Sequence, residues 1–309
     1  MKHFINLKDI PAKDLRKILI DAKKRKNARK KLNNLEFDKG APLKGKLLIQ
    51  MFEKSSLRTR LSFYLAIKQL GGSTLTLRPD ELHLSRGGES IEDTAKILSN
   101  FGNAFMLRTD KDIKLEEFKK NISIPIINGL SPSSHPTQIL SDIFTVEEIK
   151  KKPISKLNIT WIGDSNNVLN SLIVASIKFS FKLKIGCPKN YHPSKDTINY
   201  IKKNQNKVSI FNDPKKAVLG TDVIFSDKVI SMNDRVNKNI KLSYFKKYKI
   251  DKKLMSLAKK DCIFLHCLPR GTEVDENVFL SKQSKVWHQA VNRVHVQKSI
   301  LLYCFGKLR

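Results

Sequence analysis

Short apolar runs, each closed by a polar turn and followed by a stretch of helical periodicity, recur along most of this 309-residue chain. Beyond Lys156 the rhythm is regular: Asn158 to Ile162, a helix from Val168, Leu183 to Cys187, a helix from Ser194, Val208 to Phe211, a helix from Pro214, then Val223 to Phe225. Strands joined through helices run parallel, because a parallel neighbour needs a crossover connection. The alternation therefore predicts an α/β fold of doubly wound parallel sheets with helices on both faces. An earlier block obeys the same rule, with Leu47–Phe52, Ser73–Leu77, Ala104–Leu107 and Ile122–Ile127 as its strands. Before it, Leu15, Ile18, Leu19 and Ala22 form the apolar face of a helix. The length favours two domains. The charged, Pro-interrupted stretch Glu147–Lys156 is the expected crossing, so the domains are set at 1–148 and 149–287, with a closing helical segment at 288–309.

The stretch Phe52-Glu53-Lys54-Ser55-Ser56-Leu57-Arg58-Thr59-Arg60 stands at the exit of the first of these strands. After it, Phe63, Ala66, Ile67 and Leu70 share one helix face, and Gly71-Gly72 supplies the stop that a left-handed cap needs. Ser56 to Arg60 is thus expected at a helix N-terminus, where free backbone N–H groups meet two hydroxyls and two guanidinium forks. That combination suits a phosphate dianion. The plainer reading is a basic helix start in water. The helix dipole disfavours cations at that end, so two arginines there favour an anion site. No Gly-rich run ends in Gly-Lys-Ser/Thr, so the stretch is not a Walker loop.

Other positions carry chemistry only in combination. Arg108 closes a buried strand at the edge where α/β proteins bind ligands, though a lone arginine is more often a surface charge. His135-Pro136-Thr137-Gln138 opens a helix whose apolar face is Ile139, Ile143 and Val146; a capping histidine is the ordinary reading. Gly163-Asp164-Ser165-Asn166-Asn167 follows a strand as a dinucleotide turn would, but lacks G-x-G-x-x-G, which disfavours nicotinamide. Cys262 to Arg270 is a strand whose last residues present a thiol and turn at Pro269; a core cysteine is the ordinary expectation.

The net charge of +30, from 59 Lys+Arg against 29 Asp+Glu, raises a nucleic-acid partner. The lysines are scattered through loops and polar faces without interleaved aromatics, so a solvated surface that draws in anionic substrates is the better reading. Four cysteines, at 187, 262, 267 and 304, form no CxxC pair and no zinc spacing, which predicts reduced thiols in a cytoplasmic protein and no metal. The N-terminus lacks a signal-peptide core and no 18-residue apolar stretch occurs, so no membrane partner is expected.

Ser56-Leu57-Arg58-Thr59-Arg60 resembles the Ser-Thr-Arg-Thr-Arg carbamoyl phosphate motif of the aspartate/ornithine carbamoyltransferase family, departing at Leu57, a position that acts through its backbone N–H. His135-Pro136-Thr137-Gln138, Gly163-Asp164-Ser165-Asn166-Asn167, Asp227 with Ser231-Met232, His266-Cys267-Leu268-Pro269-Arg270 and Asn292-Arg293 resemble further family motifs, in family order. Cys267 is similar to the ornithine branch, where the aspartate branch carries proline. Asn233 stands where that branch has glycine.

The resemblance implies two α/β domains flanking a cleft, joined by interdomain helices, with the 288–309 helix returning to the first domain. It implies a homotrimer with sites at subunit boundaries. It implies transfer of a carbamoyl group from carbamoyl phosphate to L-ornithine, giving citrulline and phosphate for arginine biosynthesis, without cofactor. Phosphate would be held by Ser56, Leu57, Arg58, Thr59 and Arg60, with Arg293 reaching back to that side. Arg108, His135 and Gln138 would address the carbamoyl group, together with the backbone carbonyls of Cys267 and Leu268. Asn167 would bind the α-carboxylate end of ornithine, Asp227 and Cys267 would orient its amine, and Ser231 and Met232 would belong to the loop over it. His83 stands nearest the position that reaches a neighbouring subunit's site. The alternatives are a carbamoyltransferase for acetylornithine or putrescine, or a basic nucleic-acid-binding protein on a decayed carbamoyltransferase fold.

Overall fold

The computed structural model describes residues 1–78, 88–204, 207–230 and 237–308. The chain forms two compact units, Met1–Phe144 with Val291–Arg309, and Thr145–Ala290. The first contains α1 (Ala12–Ala28), β1 (Leu47–Phe52), α2 (Leu57–Gln69), β2 (Ser73–Leu77), α3 (Ile91–Phe101), β3 (Ala104–Arg108), α4 (Asp112–Asn121), β4 (Ile126–Leu130) and the first residues of α5 (Pro136–Lys150). The second contains β5 (Asn158–Ile162), α6 (Asn167–Phe179), β6 (Lys182–Gly186), α7 (Lys195–Lys203), β7 (Val208–Phe211), α8 (Pro214–Val218), β8 (Val223–Ser226), α9 (Lys238–Phe245), α10 (Lys252–Ser256), β9 (Ile263–His266) and α11 (Glu276–Phe279). α12 (Val286–Cys304) carries the chain back into the first unit.

In the first unit four parallel strands lie in the order β2-β1-β3-β4. On one face Ile49, Met51, Phe105, Leu107 and Ile126 pack with Ala95 and Leu98 of α3 and Leu115 and Phe118 of α4. Burying each such side chain is worth about 1.5–3 kcal/mol. Leu15, Ile18, Leu19 and Ala22 of α1 are buried, as their periodicity predicts. α2 ends as Gly71-Gly72 predicts: Gly71 has φ 89, its N–H bonds the Lys68 carbonyl, and the Gly72 N–H reaches back to Ile67. Because β1 has β2 on one side and β3 on the other, the strand order switches direction between β1 and β3. A crevice at their C-terminal ends is where such sheets take ligands.

The second unit repeats the logic with five parallel strands in the order β7-β6-β5-β8-β9. Its switch point falls between β5 and β8, so the turns after Ile162 and Ser226 face the same crevice.

One strand lies elsewhere than the sequence suggests. Ile122–Ile127 was the expected span, and β4 is Ile126–Leu130. Ile122 is instead the C-cap of α4, its N–H bonded to Phe118. Asn128 can occupy a strand because its buried amide donates to the Ile5 carbonyl at 3.1 Å and to Ser134 Oγ at 3.0 Å. α6 begins at Asn167 rather than Val168, since Asn166 accepts from the N–H groups of Val168 and Leu169 and caps it.

Candidate active site

One cluster of candidate residues is built in the first unit, at the β1/β3 switch point. Ser56 caps α2, its Oγ accepting the Thr59 N–H at 3.3 Å, so the motif turn sits at the positive end of that helix. Arg108 closes β3 beside Phe52 at the end of β1. His135 precedes α5, with its carbonyl accepting the Ile139 N–H. From α12, Arg293 donates through Nη2 to Thr59 Oγ1 at 2.8 Å and through Nη1 to Gln138 Oε1 at 2.9 Å. The Gln138 amide is fixed at its other end by a bond from Nε2 to Asp142 at 2.8 Å.

His135 is buried, and burial pushes its pKa well below 6.5; the guanidinium charges of Arg293, Arg108 and Arg58 push it the same way. The imidazole is therefore neutral near pH 7, a hydrogen-bond donor and not a cation. Three guanidinium groups acting on one neutral ring repel each other unless an anion joins them, which is the electrostatic signature of a phosphate site.

Of the motif residues, the structure brings Arg58, Thr59, Arg108, His135, Gln138 and Arg293 together. Ser56 serves as the cap. Leu57 turns its side chain to solvent, which leaves only its backbone to the turn. Arg60 is exposed with its guanidinium 6.0 Å from the Phe52 ring centre.

A second cluster lies in the second unit, at the β5/β8 switch point. Gly163 takes φ 142 immediately after β5, a conformation few other residues tolerate, and lets the chain turn into Asp164–Asn167. Asn166 Nδ2 donates to Asp227 Oδ2 at 2.8 Å, which joins the ends of β5 and β8. Burial of the Asp227 carboxyl raises its pKa from the ordinary aspartate value, while His266, the Lys228 N–H and Asn166 pull it back and Glu273 raises it further. Asn167, half-buried, opens α6 beside this pair. Cys267 and Leu268 follow β9, and Leu268 has φ 58, rare for leucine. His83, Ser231 and Met232 lie outside the described residues.

Two further side chains hold these turns through contacts that no sequence spacing marks. His266 Nδ1 accepts the Leu268 N–H at 2.9 Å, so Nε2 carries the proton and donates to Glu273 Oε1 at 3.1 Å. The buried pair thereby holds the Cys267 turn. Glu53 accepts from Thr109 Oγ1 at 2.6 Å and from the Asp110 N–H at 3.2 Å, and pairs with Lys114. It ties the motif turn to the strand end bearing Arg108. An acidic residue inside an otherwise basic motif was the available signal. Among the described residues no cluster of three or more His, Cys, Asp or Glu is arranged to hold a metal, and no helix is long and apolar enough to cross a membrane.

The comparisons with known proteins agree along the whole length. Residues 2–148 match the aspartate/ornithine carbamoyltransferase carbamoyl-P binding domain, and residues 155–304 match the aspartate/ornithine carbamoyltransferase Asp/Orn binding domain. The ornithine carbamoyltransferase of Caulobacter vibrioides is 43% identical over 309 residues, covering 99% of this chain and 98% of its own. That of Rhodopseudomonas palustris is 42% identical over 307 residues, 99% and 97%. Among solved structures, the anabolic ornithine carbamoyltransferase of Campylobacter jejuni superposes with a TM-score of 0.90 at 36% identity, covering 99% of this chain and 100% of its own. The Pyrococcus furiosus ornithine carbamoyltransferase gives 0.90 at 36%, with 97% and 96% covered.

Proposed function

The chain belongs to the aspartate/ornithine carbamoyltransferase family, and we infer from its site residues how it carries out the reaction of the ornithine branch: the carbamoyl group of carbamoyl phosphate passes to the side-chain amine of L-ornithine, giving L-citrulline and phosphate. Carbamoyl phosphate binds the first unit. Its phosphate oxygens take Arg58, Thr59 and the backbone N–H groups at the start of α2. Arg108 and neutral His135 donate to the carbonyl oxygen, and Gln138 orients the amide. Arg293 fixes Thr59 and Gln138 against each other.

Ornithine binds the second unit, with Asn167 at its α-carboxylate end and Asp227 and Cys267 at the side-chain amine. A free alkylammonium has a pKa of about 10 and is no nucleophile. Asp227, whose carboxyl holds a proton more readily than an exposed aspartate, accepts the first proton. The neutral nitrogen then attacks the carbonyl carbon, and the new C–N bond places charge on the carbonyl oxygen. Positioned donors there are worth about 3–4 kcal/mol each. Collapse breaks the C–O bond to phosphate, which leaves with the second amine proton as hydrogen phosphate.

The observation that carries this reading is the convergence of Arg58, Arg108 and Arg293 on a neutral, buried His135. The test is citrulline formation from carbamoyl phosphate with ornithine, acetylornithine, putrescine and aspartate offered separately. Turnover with ornithine alone is expected; turnover of acetylornithine or putrescine in its place would overturn the ornithine assignment.

The assembly is a homotrimer in this reading. Its support is an uncovered apolar stripe on the first unit: Leu57, Leu61 and Tyr64 of α2 are 69%, 51% and 41% exposed, and Leu75 on edge strand β2 is 48% exposed. Light scattering should give three times 35.4 kDa, and Leu61→Glu should lower it. Cys187, Cys262, Cys267 and Cys304 are thiols and not disulfides, which suits a reducing cytoplasm. A role in arginine biosynthesis follows the anabolic Campylobacter jejuni relative.

A further inference from the structure

Asp164 and Asp227 both stand at the β5/β8 switch point of the second unit, which receives an amino acid bearing a carboxylate of its own. Two carboxylates at that edge would repel it. Asp227 takes the Asn166 amide, and Asp164 is paired with a lysine. Lys241, on α9, places Nζ 2.6 Å from Asp164 Oδ2. The lysine side chain is 3% exposed and that of Asp164 15%, so the pair is largely withdrawn from solvent. The ammonium also lies 5.6 Å from the centre of the Tyr191 ring, itself packed edge-on against Phe245 of the same helix at 4.9 Å. The Asp164 backbone is fixed too, its carbonyl accepting Trp161 Nε1 at 3.1 Å.

The pair therefore holds the short turn that delivers two functional groups. Three residues beyond Asp164, Asn167 opens α6; between them, Asn166 both caps α6 and donates to Asp227. A buried ammonium costs several kcal/mol in desolvation and is tolerated only against a well-placed partner. A nonpolar residue at 241 would bury as well without that cost, but would leave Asp164 charged at the mouth of the amino-acid site.

We propose that Lys241 is a positioning and specificity residue of the ornithine half of the site: it cancels the charge of Asp164 and holds the Gly163–Asn167 turn so that Asn167 meets a carboxylate. The inference rests on the assignment of ornithine to the second unit. It concerns binding of the amino acid alone, and leaves carbamoyl phosphate untouched.

The test is a double-mutant cycle on the full chain, comparing wild type, Lys241→Met, Asp164→Asn and the double variant, with Lys241→Arg as the conservative control. Lys241→Met should raise KM for ornithine about tenfold to hundredfold, lower kcat less than about threefold, and leave KM for carbamoyl phosphate unchanged. Lys241→Arg should recover most of the loss. The double variant removes both charges of the pair together, and should bind ornithine better than Lys241→Met does, in calorimetry as in kinetics. An unchanged ornithine KM in Lys241→Met, or a double variant no better than the single one, would overturn the proposal while wild-type turnover upheld the ornithine assignment. A folded wild type that neither binds nor carbamoylates ornithine would overturn both.

Discussion

Arg293 Nη2 and Thr59 Oγ1, 234 positions apart in the chain, meet at 2.8 Å with both side chains buried. The other arm of the same guanidinium holds Gln138. One planar fork thus sets the distance between the phosphate turn and the helix that addresses the carbamoyl group. Arg293→Lys keeps the charge and loses the fork. Each lost bond to a charged group is worth about 1.5–3 kcal/mol, so kcat/KM for carbamoyl phosphate should fall at least about tenfold. Steady-state kinetics at saturating ornithine reads this directly, and near-normal kcat/KM would show that charge alone suffices.

His135 is held neutral by burial and by three guanidinium groups. Removing a donor to a developing oxyanion costs about a hundredfold to a thousandfold in kcat, which is the loss expected for His135→Ala. The same environment affects stability. Below pH 6.5 the unfolded histidine takes up a proton that the folded one refuses, so this group favours unfolding as pH falls below that value. Wild type should lose thermal stability between pH 7 and 5 more steeply than His135→Ala. Parallel melting curves for the two would contradict the neutral assignment.

Glu53 joins two strand ends, because its carboxylate takes Thr109, Asp110 and Lys114 while its own N–H bonds the Arg108 carbonyl at 2.9 Å. Glu53→Ala removes the side-chain ties to Thr109, Asp110 and Lys114 and keeps the backbone bond to Arg108, so the motif turn loosens while Arg58 and Arg108 stay in place. The expected result is a rise of about tenfold in KM for carbamoyl phosphate with ornithine KM unchanged, on the scale of about 1.4 kcal/mol. Equal losses for both substrates would mean general damage.

What the sequence made legible follows from range. Ser56 to Arg60 and the Gly71-Gly72 stop were readable because a strand exit, a helix start and a helix end are local events, each within a few residues. β4 runs further along the chain than its apolar pattern indicates because polar Asn128 looks like loop; its partners, Ile5 and Ser134, meet it only once the chain is folded. Arg60, the last residue of the motif, is exposed on α2 with its guanidinium 6.0 Å from the Phe52 ring centre, a placement that the motif alone does not reveal. Glu53 with Lys114, His266 with Glu273 and Lys241 with Asp164 are pairs whose members lie 61, 7 and 77 positions apart. No spacing rule selects them. The family motifs supplied the substrates, and the folded chain supplied the residues that hold those motifs in place.

Lys298 offers the most counterintuitive expectation. Its side chain is fully buried on α12, with Nζ 3.2 and 3.1 Å from the two oxygens of Asp38, which also takes Arg29 at 2.8 Å and Arg25 at 3.5 Å. Burial lowers its pKa from 10.5 to about 8; Asp38 opposes this, and Arg29 and Arg25 add to it. An ion pair of this kind suggests a protein weakened by alkali, but the sign runs the other way. Between about pH 8 and 10.5 the unfolded chain keeps a proton that the folded chain sheds, so stability from this group rises with pH, by roughly 3 kcal/mol across the window. Other lysines, tyrosines and cysteines titrate there too, so the readout is a difference. Urea midpoints of wild type and Lys298→Met should be compared at pH 7.5, 9 and 10. The difference should move in favour of wild type as pH rises. A constant difference, or one moving toward Lys298→Met, would show that Asp38 outweighs burial and that Lys298 keeps its proton throughout.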